Sequence, residues 1–258
     1  MLFRSGKPDT TPPAPQALLA LPGRASKEIR LLVANTAFST DRDGPGPFGP
    51  GTLTLLTLHI DDATSPGEVL VSSKESIDLE LPGYDPATDT GLNPTALVHL
   101  SAAGPNGEVA VICSGVNYGT TSTGDDDGRV IILDSEGMTV TDRLEVGGSP
   151  GSVVKRTDSV GGEKRTTLYL AGPTGIRSVQ RNSTGWSREV RKEYDAGAGA
   201  ALPFLSDLAI MKDILYASDF ANNRVLAFKV EEDGSLSSVI EEQATSHGPV
   251  SLLTHREQ

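Results

Sequence analysis

The chain of 258 residues has little of what enzymes commonly use for chemistry. Its single cysteine, Cys113, excludes a disulfide within the chain, so packing must hold the fold together. Cys113 sits in the apolar run 109–116, where a thiol is expected to be buried and inert, and it leaves the redox compartment open. The four histidines, His59, His99, His247 and His255, lie far apart, without His-x-x-x-His or Glu-paired spacing. No Gly-x-Ser-x-Gly elbow and no Gly-rich phosphate loop occurs. There is no run of 18 apolar residues, which excludes a membrane-spanning helix. Basic residues are outnumbered 22 to 34, and the net charge of −12 repels phosphate backbones, which argues against nucleic acid as a partner. The densest basic stretch, 188–192, alternates with Glu189 and Glu193 and reads as a solvated outer strand. Aromatic residues make up only 5% of the chain.

Helical periodicity is also missing: no window of ten or more residues keeps an apolar repeat at helical spacing. What is present instead is turn chemistry. The chain has 28 glycines and 17 prolines, and its apolar runs, such as 109–113 and 130–133, are strand-sized and bounded by Gly or Asp. The N-terminal residues 1–27 are expected to be a Pro/Thr-rich linker, of the kind that tethers a domain. Within it, Leu2-Phe3-Arg4-Ser5 matches the in-frame translation of a common sequencing-adapter end, so natural residues are expected to precede it. No signal peptide is visible in 15–22, which is too short and lacks a cationic flank.

A repeat organises the rest. Pro94, Pro150, Pro203 and Pro249 each open an apolar segment, at spacings of 56, 53 and 46 residues. Proline can open a strand, where its missing N–H breaks no ladder bond. A second strand follows each of the first three prolines, at 108–116, 166–171 and 213–218, with an earlier copy at 29–35. Third strands follow at 51–59, 128–133, 175–180 and 223–230, and more polar fourth strands at 69–79, 139–146, 188–194 and 236–241. Polarity is expected to rise from a buried first strand to a charged outer edge. Repeated four-stranded antiparallel units make an all-β fold, a β-propeller, with blades over 28–82, 83–146, 147–195 and 196–245 and a final strand over 246–254. A β-sandwich is the alternative, but it does not require the Pro-led strand to recur.

Asn93-Pro94, the strand 108–116, Gly128-Arg129-Val130-Ile131-Ile132-Leu133-Asp134 and Val146-Gly147-Gly148-Ser149-Pro150 together resemble the YVTN-type repeat. The segments 213–219 with 223–228, and 32–36, look like the same pattern, and 230–236 is similar to the lactonase-like branch of these propellers. The resemblance covers about residues 29–254 and implies a fold more than an activity. Propellers of this type usually have seven blades, whereas four units and one strand are legible. Either the chain is part of a larger ring, the favoured account, or 248–254 supplies the inner strand of the first unit. Segment 16–21 competes for that same slot.

Candidate ligand contacts lie in the loops between second and third strands, which begin with Asn35, Asn117 and Asp219. Tyr118, Asn222 and Arg224 extend this set, although short polar residues also serve simply as turn formers. Arg224 is a cation beside Asp219, able to clamp an anion or to form a structural ion pair. Two longer loops carry Asp41 and Asp43, and Asp125 and Asp127; their carboxylates suit Ca²⁺, but the EF-hand spacing is absent. Phe48, Tyr84 and Tyr118 are the aromatics a binding surface there would use. For catalysis, His99 and Arg224 are the candidates, with Asp207 a further acid. No cofactor is expected. Asn182-Ser183-Thr184 matches a glycosylation acceptor, a tripeptide too common to imply secretion. The sequence therefore points to a non-catalytic propeller presenting loops to a protein or small ligand, exported or tethered at a surface. The alternative is a lactonase-like hydrolase of a sugar lactone, in the manner of 6-phosphogluconolactonase.

Overall fold

A computed structural model describes residues 14–37, 49–61, 68–85, 91–101, 107–115, 127–195 and 204–253. Among them there are strands and turns and no helix, arranged as four antiparallel sheets whose strands follow one another in chain order. The first sheet is β1 (Ala14–Leu21), β2 (Glu28–Thr36), β3 (Thr52–Asp61) and β4 (Glu68–Asp78). The second is β5 (Pro94–His99), β6 (Glu108–Cys113), β7 (Arg129–Asp134) and β8 (Thr139–Glu145). The third is β9 (Ser152–Val160), β10 (Glu163–Gly172) and β11 (Gly175–Asn182), with β12 (Gly185–Trp186) and β13 (Arg191–Asp195) both pairing to β11. The fourth is β14 (Leu205–Met211), β15 (Ile214–Asp219), β16 (Arg224–Val230) and β17 (Leu236–Ala244). These are the blades of a β-propeller, four-stranded except that two short strands, β12 and β13, share the outer position of the third.

The chain divides into two compact units, one carrying the first two sheets as far as Arg143 and the other carrying the last two from Leu144 onward. In the first unit Leu32, Leu53, Val111 and Ile131 are fully buried and build one core. In the second, Tyr169, Leu215 and Phe228 do the same, and Tyr194 meets Phe228 edge-on with ring centroids 5.3 Å apart.

Local chemistry explains the register. Asn93 and Ser149, immediately before Pro94 and Pro150, both take a left-handed backbone, with φ of 52° and 46°. Asn is one of the few side chains that enter this region readily, and the Asn93 amide is further fixed by donating to Ser114 Oγ at 2.6 Å. The β9–β10 hairpin pairs Val160 with Glu163, leaving Gly161 and Gly162 as a two-residue turn with φ of 61° and 86°. Two successive positive φ values are what the tight hairpin turn matched to strand twist requires.

The structure corrects several expectations. Residues 14–21 are not linker: they form β1, which pairs along its length with β2 from Ala14–Thr36 to Leu21–Arg30. Pro15 sits near the start of this edge strand, where its missing N–H is tolerated. The slot contested by 16–21 and 248–254 thus belongs to the former. The expected final strand over 246–254 pairs with no strand across its described residues 246–253. It is held by side chains instead, with Leu252 N donating to Asp207 Oδ2 at 2.9 Å and Ser206 Oγ donating to the Pro249 carbonyl at 2.8 Å. Burial does not fall steadily from first strand to fourth. It peaks in the second and third strands, such as β6, β7 and β10, because first and fourth strands are sheet edges with one neighbour each. The fourth strands are exposed as expected, β17 most plainly.

Candidate functional site

Asp219 ends β15 and pairs in register with Arg224, the first residue of β16. Its carboxylate is fully buried and accepts from Arg224 Nε at 2.9 Å, Asn222 Nδ2 at 2.8 Å and Asn222 N at 3.3 Å. Asn223 completes the turn at φ 53°. The other end of the guanidinium donates to Glu242 Oε2 on β17 at 3.0 Å. Burial works to lower the Arg224 pKa, and the hydrogen bonds to Asp219 and Glu242 outweigh it, so the group is held charged. Asp219, Asn222 and Arg224 are thus brought together, as a closed turn whose polar groups satisfy one another.

Asn35 behaves similarly. Its amide donates to Thr54 Oγ1 at 3.1 Å and to Thr52 Oγ1 and the Val33 carbonyl at 3.4 Å, within the β2–β3 pair. His99, on β5, donates from Nε2 to the Ala20 carbonyl on β1 at 2.9 Å, which bridges the two sheets of the first unit. Its Nδ1 is buried and without a partner. Asp207 accepts from Ser152 Oγ at 2.9 Å, from its neighbour Leu208 N at 2.8 Å and from Leu252 N. Asp127 lies just ahead of β7. Asn117, Tyr118, Asp41, Asp43 and Asp125 lie outside the described residues, as do Phe48, His255 and Pro203. Among the described residues no group of three or more His, Cys, Asp or Glu side chains could hold a metal.

Two features escape the sequence. Glu80, between β4 and β5, accepts from Gly51 N at 2.6 Å and Leu92 N at 3.1 Å. Burial raises its pKa above the usual carboxylate value, against the pull of those two hydrogen bonds. Its partners are distant in the chain, so no local motif announces it.

The second is a polar cleft of about 210 Å³ in the second unit, lined by Arg165, Ser178, Gln180, Asn182, Ser187, Glu189 and Arg191. It arises where the expected outer strand 188–194 is interrupted. Ser187 N still donates to the Gln180 carbonyl at 2.8 Å, but Ser187 Oγ then accepts from Glu189 N at 3.0 Å, and pairing resumes only at Arg191 opposite Ser178. A Ser side chain capturing a backbone N–H two residues on competes with the ladder, and here it turns 188–190 out of it. Ser178, Gln180 and Asn182 alternate along β11 and so share one face. Arg165 donates to the Glu232 carbonyl, Gln180 Nε2 to the Asp233 carbonyl at 2.8 Å, and Arg191 to Asp233 Oδ2 at 3.4 Å, so the β16–β17 turn anchors three lining residues.

No family model matches the sequence and no curated protein does. Among solved structures the chain is similar to two proteins described as "putative 6-phosphogluconolactonase". For that of Bacteroides fragilis the identity is 15% and the TM-score 0.47, over 91% of this chain and 72% of that one. For that of Bacteroides uniformis the identity is 14% and the TM-score 0.39, over 92% and 73%. A functionally unknown protein of Desulfotomaculum acetoxidans is similar at 9% identity and a TM-score of 0.44, over 89% of this chain and 67% of that one. With likenesses this distant, the blade assignment rests on the chain's own ladders.

Proposed function

We propose that this protein is a non-catalytic propeller-type binding module, which presents polar sites to a small ligand or to another protein. One observation carries the reading: the side chains best suited to acid–base or electrophilic work are committed to holding the fold. His99 Nε2 ties β5 to β1, Arg224 is shared between Asp219 and Glu242, and Asp207 gathers β9, β14 and the segment after β17. A general base has to reach a substrate proton, and groups occupied in this way are poorly placed for it. The likeness to the YVTN-type repeat fits the same reading, because such repeats often serve as scaffolds.

The competing activity is hydrolysis of a sugar lactone. The test is a panel of sugar lactones incubated with the full chain, followed by pH-stat titration of the acid released. The expected result is release at the uncatalysed rate. Turnover that is abolished by His99→Ala or Arg224→Ala in folded protein would overturn the proposal.

A further inference from the structure

The cleft beside β11 has an inventory of unused hydrogen-bonding groups that is specific about what it can hold. Arg165 spends one arm on the Glu232 carbonyl, while its Nε is buried with no partner. Arg191 is likewise held at one terminal nitrogen, by Asp233, which leaves the rest of its fork. Gln180 donates its amide N–H to the Asp233 carbonyl and so keeps its carbonyl oxygen as an acceptor. Asn182 uses its carbonyl oxygen to accept from Thr184 N and Oγ1 at 2.9 and 2.7 Å, which leaves its amide N–H groups. Ser187 accepts from Glu189 N and keeps a hydroxyl to donate, and the Glu189 carboxylate stands as an acceptor.

Two guanidiniums against one lining carboxylate leave a net charge of +1, in a chain whose total is −12. Planar guanidinium forks suit a carboxylate, and their anchoring at the β16–β17 turn means that little side-chain freedom is lost on binding. Glu189 on the wall, with Asp233 behind Arg191, opposes a second negative charge. The acceptors Gln180 and Glu189 instead call for hydroxyl donors. We infer that this cleft binds a small monoanionic hydroxy acid, its carboxylate between Arg165 and Arg191 and its hydroxyls on Gln180, Asn182 and Glu189. This rests on the binding reading above and gives it a site and a ligand class.

Isothermal titration calorimetry of the full chain tests it, with glycerate, glycerol, succinate and inorganic phosphate as probes. Glycerate is expected to bind, and each of the others at least tenfold more weakly. Arg165→Gln and Arg191→Gln are expected to weaken glycerate at least tenfold. Either residue also braces the β16–β17 turn, so Glu189→Gln provides a variant whose altered carboxylate has no fold-holding bond. It raises the lining charge to +2 and should improve succinate and phosphate at least threefold relative to glycerate. Equal affinity for glycerol and glycerate, or selectivity unmoved by Glu189→Gln, would overturn the inference. Lactone turnover that survives Arg165→Gln would instead end the non-catalytic reading and leave the cleft's ligand standing.

Discussion

The phenol of Tyr169 on β10 donates to the Gly234 carbonyl in the β16–β17 turn at 2.8 Å, joining the two sheets of the second unit. Arg30 on β2 does the same work in the first unit, donating to the Ser135 carbonyl in the β7–β8 turn at 2.7 Å. In each case the second strand of one sheet reaches the turn between the third and fourth strands of the next. Both donors are almost wholly buried. Removing only the hydroxyl, by Tyr169→Phe, leaves the Gly234 carbonyl without this donor at a buried contact. The expected cost is about 1–3 kcal/mol, read from urea unfolding of the full chain. A cost near zero would show that water replaces the phenol.

The Asp219–Arg224 pair lends itself to a double-mutant cycle. Arg224→Ala leaves a fully buried carboxylate to its Asn222 donors without the guanidinium charge, and is expected to cost about 3 kcal/mol. The same substitution in an Asp219→Ala background should cost less than about 1 kcal/mol, because the remaining contact to Glu242 is half exposed. Additive single costs would mean that the two side chains do not depend on each other.

Glu80 gives a pH signature. Its carboxyl in the fold titrates above the 4.5 of a free side chain, so the folded state holds the proton more tightly than the unfolded state. Between those two values folding takes up protons, and stability from this group declines as pH rises through that window. It is greatest below pH 4.5. Glu80→Gln keeps an oxygen to accept from Gly51 and Leu92 but cannot ionise. The wild type is therefore expected to lose stability relative to Glu80→Gln as pH rises above 4.5, measured by urea midpoints across pH 4–8.

Cys113 is fully buried at the end of β6, and burial raises its thiol pKa far above the ordinary value. Reactivity needs both a thiolate and access. Labelling by a maleimide at pH 8 is expected to wait for unfolding and to become immediate in denaturant. Fast labelling of native protein would mean that the first unit opens locally.

Strand pairing was legible wherever a single strand carried its own signal. The prolines at 94 and 150, the apolar runs at 109–113 and 130–133, and the more polar fourth strand at 236–241 all mark the elements found there. β1 was hidden, because Ala14-Pro15-Gln16-Ala17-Leu18-Leu19-Ala20-Leu21 follows a Pro-rich stretch and is half exposed, so it has the composition of a tether. The candidate site was less legible, for a different reason. Asp219 and Arg224 are close in sequence and their partnership could be read, whereas Glu80 depends on Gly51 and Leu92, and the cleft is lined by residues as far apart in the chain as Arg165 and Arg191. Ordinary polar residues on the interior strands β10 and β11 acquire meaning only where the interrupted outer strand leaves them open.

The contacts from Tyr169 and Arg30 also bear on how such a chain tolerates change. Each donor is answered by a main-chain oxygen, so whichever residue occupies the receiving turn, the oxygen is still there. The turn Asp134-Ser135-Glu136-Gly137 can therefore diverge from Glu232-Asp233-Gly234-Ser235 while both continue to receive the neighbouring sheet. A repeat joined in this manner can lose its resemblance to itself and keep its architecture, which is why its periodicity is plain in the spacing of strands and faint in their letters.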